Sequence, residues 1–301
     1  MNSKGELKCR RCSECAGFGC IDQLPGLGGL FHNKNFQLNC SAWKDLQKKA
    51  EAQGQLEEIK KIEFSLSQIM CAPVTGSQEN IGYENEGDFY FPYFNFSRQA
   101  GFGVCVGDGC PDEKLKFGIE AVKKIRAEFD PDFKAAFFLK PYPQEVLFER
   151  LKKVIPYASH IGVDIDAYNI VTMRNKVHLE KKTAGDLSEL RDFANNLAGR
   201  EIPFVIKGVF TDEDLALVRD FLPEVALVSN HGGRVETREG SSADFLVEHA
   251  AELKKSCKEI WVDGGIRNRL DVQTALYYGT SRVLIARPII RAVFDGENFR
   301  L

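Results

Sequence analysis

From about Gln68 onward the chain repeats one pattern: a short apolar run rich in β-branched and aromatic residues, then a longer stretch of mixed polarity. The runs are "QIMCAPV" (68–74), "GFGVCVG" (101–107), "KAAFFLK" (134–140), "SHIGVDI" (159–165), "PFVIKGV" (203–209), "VALVSN" (225–230), "EIWVDGG" (259–265) and "SRVLIAR" (281–287). They are continuously apolar rather than alternating, as expected of strands covered on both faces in a parallel sheet. The intervals carry helix signals. "TDEDLALVRDFL" opens with Thr211 as N-cap and acidic residues in its first turn. "SADFLVEHAAELKKS" and "NRLDVQTALYYG" place apolar residues at helical spacing, and the second stops at Gly279.

Eight strands alternating with helices predict an α/β fold, a (β/α)8 TIM barrel. A doubly wound open sheet is the alternative, and eight units favour closure. Only fourteen residues follow Arg287, which leaves the eighth helix short. The charged segment 43–64, "WKDLQKKAEAQGQLEEIKKIEF", reads as a helix available to cover that position. Residues 1–45 are read as a short Cys-rich N-terminal extension and 46–301 as the barrel.

Composition narrows the class. The 301 residues are 44% hydrophobic with a formal net charge of -3 and both signs spread along the chain, so nothing resembles the clustered basic surface of a nucleic-acid binder. No apolar run approaches the roughly 18 residues of a membrane span, and "MNSKGELKCRRC" lacks a secretory core. A soluble cytoplasmic protein is expected. Of nine cysteines, Cys9, Cys12, Cys15 and Cys20 form C-x2-C-x2-C-x4-C, a density that points to a metal rather than disulfides in a reducing compartment. The spacing has one residue more than the bacterial ferredoxin run and lacks its proline, so a [4Fe–4S] cluster, zinc and free thiols stay open. Cys71 and Cys105 fall inside apolar runs and read as inert core thiols.

Active sites of such barrels lie at the carboxyl ends of the strands. In order those ends read Pro73-Val74-Thr75-Gly76, Gly107-Asp108-Gly109, Lys140-Pro141, Asp164, Lys207-Gly208, Ser229-Asn230-His231, Asp263-Gly264-Gly265 and Arg287. The stretch "VSNHGGR" sets His231 and Arg234 either side of two glycines. A turn needs the glycines; an anion site beside a proton-transfer centre needs the ionisable groups as well. Imidazole changes charge near neutral pH, and the planar guanidinium grips both oxygens of a carboxylate. Lys207 ends a buried strand, where its ammonium needs a partner, and an ion pair with Asp164 is the bland explanation.

At these intervals "IKG", "SNHGGR", "VDGGIRNRLDV" and "VLIARP" resemble the FMN-dependent α-hydroxy-acid oxidase/dehydrogenase family, whose best-known members are glycolate oxidase and lactate oxidase. The likeness is closest over about 200–290 and extends over 68–175. The Cys-rich start followed by "LPGLGG", with "GDG" and "GVDIDAYNIVTM", is similar to a bacterial subgroup of that family. The resemblance implies an FMN enzyme that oxidises a small 2-hydroxy acid to the 2-oxo acid and hands its electrons to an acceptor left unspecified. It implies His231 as base, Asp164 as its paired carboxylate, with Asp166 close enough that the two could be confused, Arg234 as the carboxylate clamp and Lys207 beside the flavin ring. It places the phosphate against Gly264, Gly265, Arg267, Ala286 and Arg287. The ring meets Pro73, Val74, Thr75 and Gly107, with Lys140, Ser229 and Asp263 completing the cofactor set. Family members often assemble as homo-oligomers.

The chain also departs from the family. Lys140 and Pro141 stand where a glutamine and a substrate-binding tyrosine are usual, and the role of that tyrosine is not transferred to Tyr142. A second tyrosine has no counterpart, and the arginine after the fourth strand is replaced by "YNIVTMR", with only Arg174 nearby. Two rival readings follow. One is an FMN-binding isomerase of the type 2 isopentenyl diphosphate isomerase kind, which lacks the His–Arg pair. The other is a non-catalytic flavin or redox-sensing module.

Overall fold

A computed structural model describes residues 33–170, 177–235 and 237–296. Eight parallel strands close into a barrel: β1 (Ile69–Cys71), β2 (Gly103–Gly107), β3 (Ala135–Leu139), β4 (Ala158–Asp164), β5 (Phe204–Val209), β6 (Val225–Val228), β7 (Glu259–Val262) and β8 (Arg282–Ile285). Closure is made where Met70 of β1 pairs with Leu284 of β8. Each strand falls in one of the eight apolar runs, as expected, with β4 starting one residue earlier, at Ala158.

Alternation along each strand builds two cores. In β3, Ala136 and Phe138 point inward with Met70, Cys105, Val205, Leu227, Trp261 and Leu284, filling the barrel interior. Ala135, Phe137 and Leu139 point outward to the helices. Gly162 sits beside Phe138 because a Cβ there would press on the phenyl ring. Cys105 and Cys71 are both buried and free, and burial raises both thiols, Cys71 to about 11. They are core residues, unreactive as nucleophiles near neutral pH.

The outer layer is α3 (Tyr90–Gln99), α4 (Glu113–Glu128), α5 (Gln144–Val154), α6 (Ala184–Ala198), α7 (Asp212–Phe221), α8 (Ser242–Leu253), α9 (Arg269–Tyr277) and α10 (Arg287–Asp295). Thr211 caps α7 as expected: its Oγ1 accepts from Asp214 N–H at 3.2 Å, while Asp214 Oδ2 accepts from Thr211 N–H at 2.8 Å. Replacing Thr211 by alanine is expected to cost about 1 kcal/mol. In a domain of this size that is a fall of about 2 °C in Tm, readable by calorimetry.

Two helices precede the barrel: α1 (Lys34–Ala52), which runs through position 45, and α2 (Leu56–Lys60). The expected single helix over 43–64 is therefore broken, at Gly54, whose φ of 74° turns the chain. Its expected location is corrected too. α1 packs on α8, α9 and the His231 turn, whereas α10 lies against α3 and covers the eighth position itself. α10 manages this in nine residues by burying Ile289, Ile290 and Phe294. No helix among the described residues is long and apolar enough to cross a membrane. Cys9, Cys12, Cys15, Cys20 and Arg174 lie outside the described residues.

Candidate active site

An open cavity occupies the carboxyl end of the barrel. It is lined after β1 by Pro73, Val74 and Thr75; after β3 and from β5 and the β6 turn by Lys140, Lys207, His231 and Arg234; and after β7 and β8 by Asp263, Gly264, Gly265, Arg267, Ala286 and Arg287. Thirteen of the expected site residues thus share one space. Asp164, Ser229 and Gly107 stand behind the lining. Gly107 backs the β1 loop so closely that a Cβ would overlap the Pro73 carbonyl oxygen. Ser229 donates to Asp263 Oδ2 at 2.9 Å and accepts from His231 N–H at 3.1 Å. Tyr142 is not in the lining; its ring lies under the Arg150 guanidinium at 4.3 Å.

The turn after β6 explains its own sequence. His231, Gly232 and Gly233 all have positive φ, at 57°, 65° and 90°. For the glycines this is easy; for the histidine it is strain of about 1–3 kcal/mol, the kind retained where a side chain must be aimed. Asn230 holds the turn, its side chain accepting from Gly233 N–H at 2.9 Å.

Asp164 is the charge centre of the rim. Lys140, from the end of β3, donates to its Oδ2, and Lys207 of β5 donates to its Oδ1 at 2.7 Å. Burial pushes this carboxyl up, but the two ammoniums and His231 override burial and hold it well below the ordinary range. Asp166, two residues on, behaves in the opposite way. Burial and then the charge on Asp164 push it well above the ordinary carboxylate value, and its Oδ2 has no hydrogen-bond partner among the described residues. Its Oδ1 shares a hydrogen bond with His231 Nδ1 at 3.1 Å, whereas Asp164 Oδ1 is 3.6 Å from that nitrogen.

Both carboxylates therefore stand within ion-pair distance of His231: Asp164, the expected partner, at 3.6 Å, and Asp166 nearer at 3.1 Å, with Lys140 and Lys207 also engaging Asp164. Burial, then the positive charge of Lys207, push the His231 imidazole well below its ordinary value. It is neutral at neutral pH. Asp164, Asp166 and His231 sit close enough to suggest a metal trio, yet a cation there would meet the two ammoniums that already neutralise it.

Two guanidiniums lining the cavity have no carboxylate within ion-pair distance among the described residues. Arg234 donates to the His231 carbonyl at 3.3 Å, and Arg267 to the Ile266 carbonyl at 3.1 Å. Burial pushes both pKa values down, the response of a cation short of a counter-charge. Beside Arg267, Gly264 and Gly265 have φ of 93° and 77°, and a Cβ on Gly265 would overlap the Asn39 carbonyl oxygen of α1. This glycine turn, Arg267, Arg287 and the start of α10 come together on the cavity, a donor set of the kind that suits a phosphate. Arg234 adds a second cation to the same cavity beside His231.

Comparison with known proteins meets this geometry. A family model described as FMN-dependent dehydrogenase matches residues 127–298, more than half of the chain. The chain belongs to that family. Among curated relatives, 2-Hydroxyacid oxidase 2 of Bos taurus is 39% identical over 98 residues, 32% of this chain and 28% of that protein. L-lactate oxidase of Nostoc sp. (strain PCC 7120 / SAG 25.82 / UTEX 2576) is 37% identical over 95 residues, 32% of this chain and 26% of that protein. The matched stretches thus span little more than a quarter of those relatives. A solved mandelate oxidase with benzoyl-formic acid superposes with a TM-score of 0.62 at 19% identity, covering 93% of this chain and 85% of that one, and so shares the fold.

Several lining residues were not anticipated. Phe36, Asn39 and Cys40 arrive from α1, Asn80 and Cys110 from the loops after β1 and β2, and Lys114 from the first turn of α4. The signal for α1 was available: asparagines where a helix buries its face are unusual enough to demand partners.

Proposed function

We propose that this chain oxidises a small 2-hydroxy acid to the 2-oxo acid, with FMN as its resident cofactor. FMN fits the residues present. Arg267 is a buried guanidinium with no carboxylate in ion-pair distance among the described residues, its pKa pushed down by burial, beside a glycine turn that tolerates no side chain on Gly265, which suits the phosphate. Apolar Ala72, Val74, Leu284 and Ala286 line the cavity alongside Lys207, which suits a flat ring that becomes anionic on reduction.

Bound FMN supplies the sink for two electrons. The protein supplies the rest. Arg234 holds the substrate carboxylate as a planar fork. His231 takes a proton through Nε2, since Nδ1 is occupied by Asp166 and Nε2 makes no hydrogen bond among the described residues. Asp166 fixes the ring by its hydrogen bond to Nδ1, and the ionised Asp164, 3.6 Å from the same nitrogen, steadies the imidazolium once formed. Lys207, tied to Asp164, keeps a positive charge where negative charge accumulates on the cofactor. Conversion of the hydroxy acid to the 2-oxo acid would release two electrons to bound FMN, for an external acceptor, and two protons, one of them to His231.

The observation that carries this reading is a neutral imidazole with one nitrogen tied, in the same cavity as two guanidiniums without acids. Anaerobic addition of a panel of 2-hydroxy acids to FMN-loaded protein is expected to bleach the flavin absorbance with at least one member. Bleaching by dithionite but by none of the panel would defeat the proposal and leave the isomerase and sensor readings standing.

A further inference from the structure

Four residues of α1 recur every fourth position: Asn35, Asn39, Trp43 and Gln47. That spacing puts them on one face, and the face meets both anion-seating turns of the cavity. Asn35 Nδ2 donates to the carbonyls of Val235 and Arg238 at 2.6 and 2.8 Å, and its Oδ1 accepts from Gly240 N–H at 2.8 Å. Asn39 forms a reciprocal amide pair with Asn230, at 2.7 and 3.1 Å, and its Oδ1 also accepts from Ser242 N–H at 3.0 Å. Trp43 Nε1 donates to the Gly264 carbonyl at 2.8 Å. Gln47 donates to Asp271 Oδ1 at 2.9 Å, and Asp271 Oδ2 in turn accepts from Arg267 N–H at 2.9 Å.

The helix backbone comes equally close. A Cβ on Gly233 would overlap Phe36, and one on Gly265 would overlap the Asn39 carbonyl oxygen. Each turn therefore has a glycine at the point where α1 presses on it. Packing alone asks for apolar side chains. A buried amide must have its partners met or lose about 1–3 kcal/mol, so this stripe specifies position as well as burial.

We infer that the Asn35–Asn39–Trp43–Gln47 stripe is a positioning device, holding the His231–Arg234 turn and the Gly264–Arg267 turn at a fixed separation, with Asn39 at its hub. These are positioning residues; none takes part in the chemistry. The inference rests on the FMN reading above, because the two turns are then the substrate seat and the phosphate seat of one reaction. A strut that sets their spacing sets the distance between the substrate and the cofactor that accepts its electrons. Displacements of about 1 Å in such geometry cost up to about a hundredfold in rate.

The test uses the full chain, free of cofactor and then loaded with FMN. Asn39→Leu removes every polar contact of the hub; Asn39→Asp keeps the acceptor and removes the donor to Asn230. Lys44→Ala, on the exposed side of α1, is the control. Both Asn39 variants are expected to weaken FMN binding, measured by fluorescence quenching, and to slow anaerobic reduction at saturating FMN and hydroxy acid. The leucine variant should lose about tenfold or more in each, and Lys44→Ala should match wild type. Amide exchange at Gly233, whose acceptor Asn230 loses the Asn39 donor that holds it, should also quicken in the cofactor-free aspartate variant, a readout that remains if the leucine variant does not fold. A merely structural role lowers Tm but leaves the affinity and the loaded rate at wild-type values; that result, with wild-type exchange, overturns the inference. Wild-type protein that binds no FMN overturns the FMN reading instead, and this inference with it.

Discussion

Replacing His231 by glutamine is expected to slow flavin reduction by a 2-hydroxy acid by about two to four orders of magnitude, the usual worth of a positioned general base, while FMN still binds. Glutamine keeps a polar group of similar reach but has no basic nitrogen, so the loss isolates proton acceptance from packing. A variant reduced at the wild-type rate would remove His231 from the chemistry. The pH dependence follows from the same environment. Burial and then the Lys207 ammonium favour the neutral ring, outweighing the opposing charge of Asp164. Neutral imidazole is the form that accepts a proton, so acidification through 6.5 should leave the reduction rate unchanged, with the acid limb appearing well below that value. Lys207→Met removes a positive charge beside the ring and should move that limb upward. An acid limb near 6.5 in the wild-type protein would contradict the assignment.

The barrel and its rim were legible because the information is local. Unbroken apolar runs such as "KAAFFLK" have few solutions other than strands covered on both sides, and polar residues ending them fall on the rim by topology. What was hidden depended on neighbours distant in sequence. Asp164 and Asp166 are two apart, and nothing along β4 says which one lies nearer His231. The choice is made by Lys140 of the adjacent strand, which joins Lys207 in engaging Asp164 and leaves Asp166 to the imidazole. Helix α1 was concealed for another reason. Its lysines and glutamates gave the impression of a solvated helix over 43–64, whereas Asn35, Asn39 and Trp43 are buried. Asparagines on a buried face break the apolar stripe that identifies such helices. They do so because the partners there are loop amides and carbonyls rather than other helices.

The second large effect is expected on stability. Asp164→Asn leaves Lys140 and Lys207, whose side chains are 8% and 4% exposed, without the carboxylate they share. Breaking a buried ion pair from one side costs about 3–5 kcal/mol, against a typical total near 5–15. One relaxation works against that loss. Burial and then the charge on Asp164 push the Asp166 carboxyl well above its ordinary value; with that charge removed, Asp166 ionises more readily and compensates Lys207 in part. It does not reach Lys140 by any hydrogen bond among the described residues, so a fall of about 2–4 kcal/mol should remain. Calorimetry on the cofactor-free protein would read this as a clear drop in Tm. The pH profile supplies the sign check. The folded-state pKa of Asp164 lies below its unfolded value, near 3.8, so its contribution is fully present above that pH and is lost as pH falls through the folded value. The gap between wild type and Asp164→Asn should therefore be constant at neutral pH and close in strong acid. Adding Lys140→Met to Asp164→Asn removes the stranded ammonium and should restore part of the stability. Were the double variant less stable than the single one, Lys140 would be held by something other than Asp164, and the two-lysine arrangement that frees Asp166 for His231 would have to be abandoned.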